Sequence, residues 1–380
     1  MGGHGRAVII ILALTAASGG PVRAAGNAVA NTVNESLPGS KDDDDSGGVN
    51  FVALPFPVTN GAIGDGFAIV GAALYKLDDG SQSSSTGLGG FYTQSKSWAF
   101  GAQQKANFDD DRYHLTAQGA YYSVNYGFYG VGLEAGAAGQ SIPLHQSGYG
   151  IIPEFLFRVA PHIYVGPRLR YVTATSSVDL SVIETKFHLN LAHQLEVKSA
   201  GAGPVAEYDS RDRQYWPRHG SYARLEANFA NNTTGSRGGG SYQSYDGFYN
   251  GYSEINERSV VAYRASFCAV SDGSPFFDLC TYGSNNDLRG YSPGQYRDQT
   301  SFAVQAEYRW RFWGRLGLVA FGGIGGVAPS FGDYRLKSLL PAAGAGLRYM
   351  AVEQEQVNIG IDAAIGKHSS EYYFRIGEAF

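Results

Sequence analysis

Residues 300–312, TSFAVQAEYRWRF, sort their side chains by parity. The even positions Phe302, Val304, Ala306, Tyr308, Trp310 and Phe312 are apolar, with the aromatics gathered toward one end. The odd positions Ser301, Ala303, Gln305, Glu307, Arg309 and Arg311 are small, polar or charged. Successive side chains of a strand point to opposite faces, so this stretch reads as a strand with one apolar and one polar face. Residues 357–367 repeat the pattern, setting Val357, Ile359, Ile361, Ala363 and Ile365 against Asn358, Gly360, Asp362, Ala364 and Gly366. In 221–229, Leu225 and Phe229 oppose Tyr222, Arg224, Glu226 and Asn228; in 261–269, Tyr263 and Phe267 oppose Arg264, Ser266 and Cys268. A soluble sandwich also alternates, but it buries the apolar face. These strands run for ~9 to 13 residues, the length a tilted strand needs to cross a bilayer.

The expectation is an all-β fold, a transmembrane antiparallel β-barrel whose apolar face meets lipid. Strands are predicted over 51–59, 66–76, 86–95, 98–108, 112–124, 142–159, 162–176, 197–208, 220–232, 242–256, 259–271, 300–312, 316–328, 340–352, 356–368 and 371–380. That is about sixteen, an even number as in bacterial single-chain barrels. Short connections at 160–161, 256–258, 313–315 and 352–356 fall on the periplasmic side, and the long segments 125–141, 177–196, 272–299 and 329–339 fall outside. The connection 76–86 is long for a periplasmic turn. Tyr372, Phe374, Ile376 and Phe380 share one parity and form the expected closing strand, which puts Glu378 on the lipid-facing side at the periplasmic rim.

Composition agrees. The chain has 52 Gly, 26 Tyr and 21 Phe but only 17% charged residues, which suits an aromatic-belted barrel with a small, polar interior. A net charge of −5 argues against a nucleic-acid partner. At the N-terminus, Arg6, the apolar run 7–17 and the small-residue site Val22-Arg23-Ala24 predict a cleaved signal peptide over 1–24. The run is well short of the ~20 apolar residues of a spanning helix. Residues 25–48, with Asp42 to Asp45, read as a flexible acidic leader, either a solvated charge run or a cation site. Residues 49–380 are then one barrel domain, expected to be monomeric in outer-membrane lipid.

Within 272–299 stands Leu288-Arg289-Gly290-Tyr291. It resembles the R-G-[FY] motif of the BamA/TamA superfamily, the bacterial surface-antigen barrels of the outer membrane. Further likenesses follow in order: residues 208–212 and 216–222 resemble the family's periplasmic turn between strands eight and nine. Ser274-Pro275-Phe276-Phe277-Asp278 resembles the approach to its sixth extracellular loop, and 373–380 its closing strand. The resemblance implies that the sixth loop folds into the lumen and that the protein inserts or translocates polypeptide, or lipid, with a weak seam between first and last strands. It also implies a short form, since no space precedes the barrel for polypeptide-transport-associated domains. Family members often carry a second acid in an F-x-D-x-G pattern; here Phe321-Gly322-Gly323-Ile324-Gly325 puts Gly323 in its place, one carboxylate fewer.

A guanidinium inside a barrel needs a carboxylate, because an unpaired buried charge is costly. Glu307 has lumen parity on the strand after this loop, which predicts an Arg289–Glu307 ion pair; the alternative leaves Arg289 in solvent at a loop tip. Cys268 also has lumen parity, and Cys280 lies in the loop. In the oxidising periplasm they can form a disulfide, or else pack as two separate thiols. No cofactor or metal site is predicted. The mature chain's seven histidines (His114, His145, His162, His188, His193, His219 and His368) are scattered, and no G-x-S-x-G or H-E-x-x-H motif occurs, so an enzyme is not expected. A passive channel and a receptor or adhesin barrel remain the other readings; the client or ligand is not named by any motif.

Overall fold

The computed structural model describes residues 50–58, 61–178, 195–213, 216–234, 239–283, 287–352 and 356–380. The signal peptide expected over 1–24, the acidic leader expected over 25–48 with Asp42 to Asp45, and His188 and His193 lie outside the described residues. Strands β1 (Asn50–Val58), β2 (Gly66–Tyr75), β3 (Ser84–Thr93), β4 (Trp98–Phe108), β5 (Tyr113–Phe128) and β6 (Ile142–Ala160) pair in chain order. They continue through β7 (Ile163–Val178), β8 (Leu195–Asp209), β9 (His219–Thr234), β10 (Gly239–Asn256) and β11 (Ser259–Val270). Two short strands, β12 (Cys280–Tyr282) and β13 (Tyr296–Asp298), leave the wall and pair with each other. The wall resumes with β14 (Thr300–Trp313), β15 (Leu316–Ala328), β16 (Leu340–Val352), β17 (Val357–Gly366) and β18 (Ser369–Ile376). The result is a 16-stranded antiparallel, nearly closed barrel. Among the described residues a short α-helix, α1 (Leu133–Ala138), sits in the β5–β6 connection.

Parity decides the faces throughout. Leu225, Leu347, Ile361 and Ile365 project outward and are exposed, while Val172, Ala174, Val319 and Glu307 project inward and are buried. Lipid covers the first set, and packing inside the barrel covers the second. Four register shifts, at Arg158/Ala160, Glu254/Asn256, Trp310/Trp313 and Met350/Val352, all stand beside turns at the periplasmic end. Bulges bend a strand and end its pairing, which suits a short turn at a barrel rim. The strands are of unequal length. β1 to β4 have 9 to 11 residues, β5 to β10 have 15 to 19, and β18 has 8.

The long β2–β3 turn has a local cause. It is built against the β4–β5 turn: Asp111 accepts from the Gln82 amide at 3.2 Å, the Asp111 amide donates to Ser81 at 2.7 Å, and the Asp109 amide donates to Asp78 at 2.8 Å. Tyr164 also donates to Asp111, at 2.7 Å. Burial disfavours the Asp111 charge, but hydrogen bonds from His114 and Tyr164 outweigh it and bring the carboxyl down to about 2.

The C-terminal strand departs from the sequence expectation. β18 ends at Ile376, and Gly377, at φ 71°, turns the chain off the wall. Parity does not carry past such a residue, so Glu378 faces the lumen rather than lipid. Its carboxylate accepts from Arg348 Nε at 3.0 Å and from Asn358 Nδ2 at 2.9 Å. Phe380 therefore lies outside the closing strand, and its main-chain oxygen accepts from Arg309 at 2.6 Å. Among the described residues no ladder joins β1 to β18.

A charge placed on the lipid face should show this geometry directly. Leu225→Arg, near the middle of β9, should lower unfolding stability in vesicles by ~2–4 kcal/mol, and Ile255→Arg, at the periplasmic end of β10, by only ~0–1 kcal/mol. Equal losses in urea titrations would mean that the membrane plane is misplaced.

Candidate functional site

The connection from β11 to β14 enters the barrel in three fixed stages. Its descending limb is held by a disulfide between Cys268 and Cys280, whose Cα atoms are 5.7 Å apart. Between the two cysteines lies Phe276-Phe277-Asp278. Phe277 is buried against an apolar cluster of inward-facing side chains from β1 to β8, among them Val70, Tyr122, Val172 and Val197. The Asp278 carboxylate accepts two hydrogen bonds from Arg170, at 2.9 and 2.6 Å, and one from the Tyr242 hydroxyl at 2.5 Å. These three residues thus fasten the loop to the β7 and β10 wall.

The third stage is Leu288-Arg289-Gly290-Tyr291, which reaches the opposite wall. Leu288 and Tyr291 are fully buried with Tyr282, Tyr296, Val327 and Leu340. The Tyr291 hydroxyl donates to the Pro341 carbonyl at 2.6 Å and accepts from the Lys367 amide at 2.9 Å. Gly290, at φ 124°, lies so close to β17 that a Cβ would come within 3.0 Å of the Ile365 carbonyl carbon. Only glycine adopts this conformation at little cost, and its amide donates to the Tyr373 hydroxyl at 2.9 Å.

Arg289 is wholly buried and forms ion pairs with both Glu307 of β14 and Asp362 of β17. Its guanidinium lies over the Phe321 ring, 3.3 Å from the centroid. The carboxylates are shared. Arg309 donates to Glu307 at 2.7 Å, Arg375 donates to Asp362 at 2.8 Å, and Arg348 bridges Asp362 and Glu378. Four guanidiniums (Arg289, Arg309, Arg348 and Arg375) thereby meet three carboxylates (Glu307, Asp362 and Glu378). Desolvating ions costs several kcal/mol each, so the seat holds only as a mutually paired set.

Residues 288–291, Glu307 and the two cysteines are thus brought together in one loop and its seat. In the closing strand, Tyr372 faces outward and is 68% exposed, far from this network's role. The expectation of one carboxylate fewer is corrected: Asp362 supplies the second acid from β17. Gly323 has no room for one, since a Cβ there would lie 2.3 Å from the Val304 carbonyl oxygen. Asp362 carried its signal in the sequence, as the one acid on the polar parity of 357–367. Arg348, Arg375 and Glu378 did not announce a role, because convergence of four strands, a loop and a tail is invisible to single-strand patterns.

Below the apolar cluster the lumen opens into a cavity of about 1400 Å³ that reaches the periplasmic turns. Its wall alternates in charge: Arg224 pairs with Glu154, Glu207 and Glu226, and Arg168 pairs with Glu226. Among the described residues no group of His, Cys, Asp or Glu could hold a metal ion.

A 16-stranded antiparallel barrel with a loop folded into its lumen is the architecture of an outer-membrane β-barrel. The chain belongs to the Omp85 superfamily, whose domain model matches residues 85–380. Its fold is similar to that of BamA from Haemophilus ducreyi lacking POTRA domains 1–3, at 17% identity and a TM-score of 0.51, over 87% of this chain and 68% of that one. It is similar too to CdiB from Acinetobacter baumannii, at 12% identity and a TM-score of 0.55, over 86% and 59% of the two chains. CdiB from Escherichia coli gives 9% and 0.56, over 88% and 63%. The chain thus spans about three fifths to two thirds of these structures. No curated protein matches it.

Asp362→Asn leaves three guanidiniums sharing a neutral amide, and should destabilise the barrel by ~3–5 kcal/mol. Gel mobility of unheated samples across a temperature series reads this; an unchanged melting midpoint would show that the seat does not hold the wall.

Proposed function

We propose that this chain inserts or translocates polypeptide, or lipid, at the bacterial outer membrane, with the Arg289 loop plugging the lumen at rest. The observation that carries the reading is the seam. β1 and β18 share no ladder, and backbone groups at an open edge in hydrocarbon go unsatisfied unless another strand or lipid-thinned water reaches them. The seat of Arg289 stands on β14, β17 and β18, which includes one side of that seam. The strands flanking it are also short, and a short hydrophobic span thins the bilayer beside it. A segment arriving from the charged lower lumen could pair with a free edge without first breaking a ladder. Family membership supports this reading over catalysis.

A second reading, a passive channel, draws on the cavity of about 1400 Å³. The apolar cluster around Phe277 above that cavity speaks against it, since packed apolar side chains exclude water and ions.

Reconstitution separates the two. The protein in lipid vesicles should speed folding of a urea-denatured barrel client while conducting little current in planar bilayers. High wild-type conductance with no effect on the client would overturn the proposal in favour of a channel. Arg289→Ala should raise conductance several-fold by freeing the loop; unchanged conductance would remove the plug from the mechanism.

A further inference from the structure

The β15–β16 connection, 329–339, does not cover the mouth of the barrel. It lies on the outside of the wall. Tyr334 packs edge-on against Phe302, 4.8 Å between centroids, and Phe302 belongs to the lipid-facing parity of β14. The Tyr334 hydroxyl lies 3.2 Å from Thr300 Oγ1 and donates to the Gly326 carbonyl at 3.4 Å. Gly326 and Ala328 share outward parity with the exposed Ile324, yet both are buried, because this loop crosses over them. A Cβ on Gly326 would meet the Ser338 carbonyl oxygen and the Tyr334 ring.

The loop therefore stands at the extracellular rim, against the lipid-facing surface. What it turns outward there is unusual for a water-facing loop. Leu336 is 90% exposed and Phe331 54% exposed. Arg335 and Lys337 flank Leu336, both exposed, and neither forms an ion pair among the described residues. The loop's one acid, Asp333, is turned back to accept from Ser330 at 2.7 Å. Two apolar side chains beside two free cations, at the depth of the headgroups, have the chemistry of an interfacial anchor.

We propose that residues 331–337 form a binding site for an anionic lipid carrying phosphate on its headgroup. Leu336 and Phe331 enter the acyl boundary, and Arg335 and Lys337 take the phosphate. The site rests on the barrel fold and its lipid-facing surface, and is independent of the transport reading.

The test uses the full chain, folded in mixed micelles of phosphatidylcholine and phosphatidylglycerol and then stripped with detergent, with retained lipid quantified by mass spectrometry. Wild-type protein should retain phosphatidylglycerol in excess. Arg335→Gln and Lys337→Gln should each cut that excess by about fivefold, the worth of one cation near an anionic surface. Arg335→Lys should keep it, since charge rather than a planar fork is required. Leu336→Ser should lower retention of both lipids. Heat-modifiable gel mobility checks that every variant is folded. Unchanged enrichment in the folded Arg335→Gln and Lys337→Gln proteins would overturn the proposal. So would displacement of the lipid by inorganic phosphate beyond that by chloride of equal ionic strength, which would mark a free-anion site.

Discussion

Arg289, buried between Glu307 and Asp362, is the interaction on which the arrangement of the lumen depends. A guanidinium in that position is tolerable only if both carboxylates stay where β14 and β17 hold them, and those carboxylates are tolerable only with Arg309, Arg348 and Arg375 beside them. The network ties a loop to four strands of the wall and to the C-terminal residues beyond Gly377. Wall and loop are therefore coupled through the same few ions.

The loop is held at two further places, and they differ in kind. Asp278 is bound by Arg170 and Tyr242 on the far wall, so the chain spans the lumen between two charged anchors. The Cys268–Cys280 bond encloses the Asp278 segment and limits the excursion of the descending limb. Phe277 packs into an apolar cluster on the β1–β8 side of the extracellular half, and the charged cavity extends from beside it to the periplasmic turns.

The outer surface is divided as well. Most of it is the plain apolar face that alternation requires, but at the extracellular rim the β15–β16 loop lies across it and presents Leu336 between two cations. The seam-side strands are short and the opposite strands tall, so the membrane around this barrel meets different depths at different points of its circumference.

The sequence by itself determined the sixteen wall strands and the face that most of their side chains take. Alternation is a local property, and lipid on one side enforces it at every second residue from Phe67 to Tyr372. It also marked Arg289 and Glu307, because a motif and a parity sufficed. Only the tertiary structure decided that Asp362 stands in for the acid absent at position 323, that Glu378 turns inward past Gly377, and that the 329–339 loop folds outside the wall. Each of these depends on which distant strands become neighbours, or on a single left-handed residue that resets parity, and no local pattern encodes either.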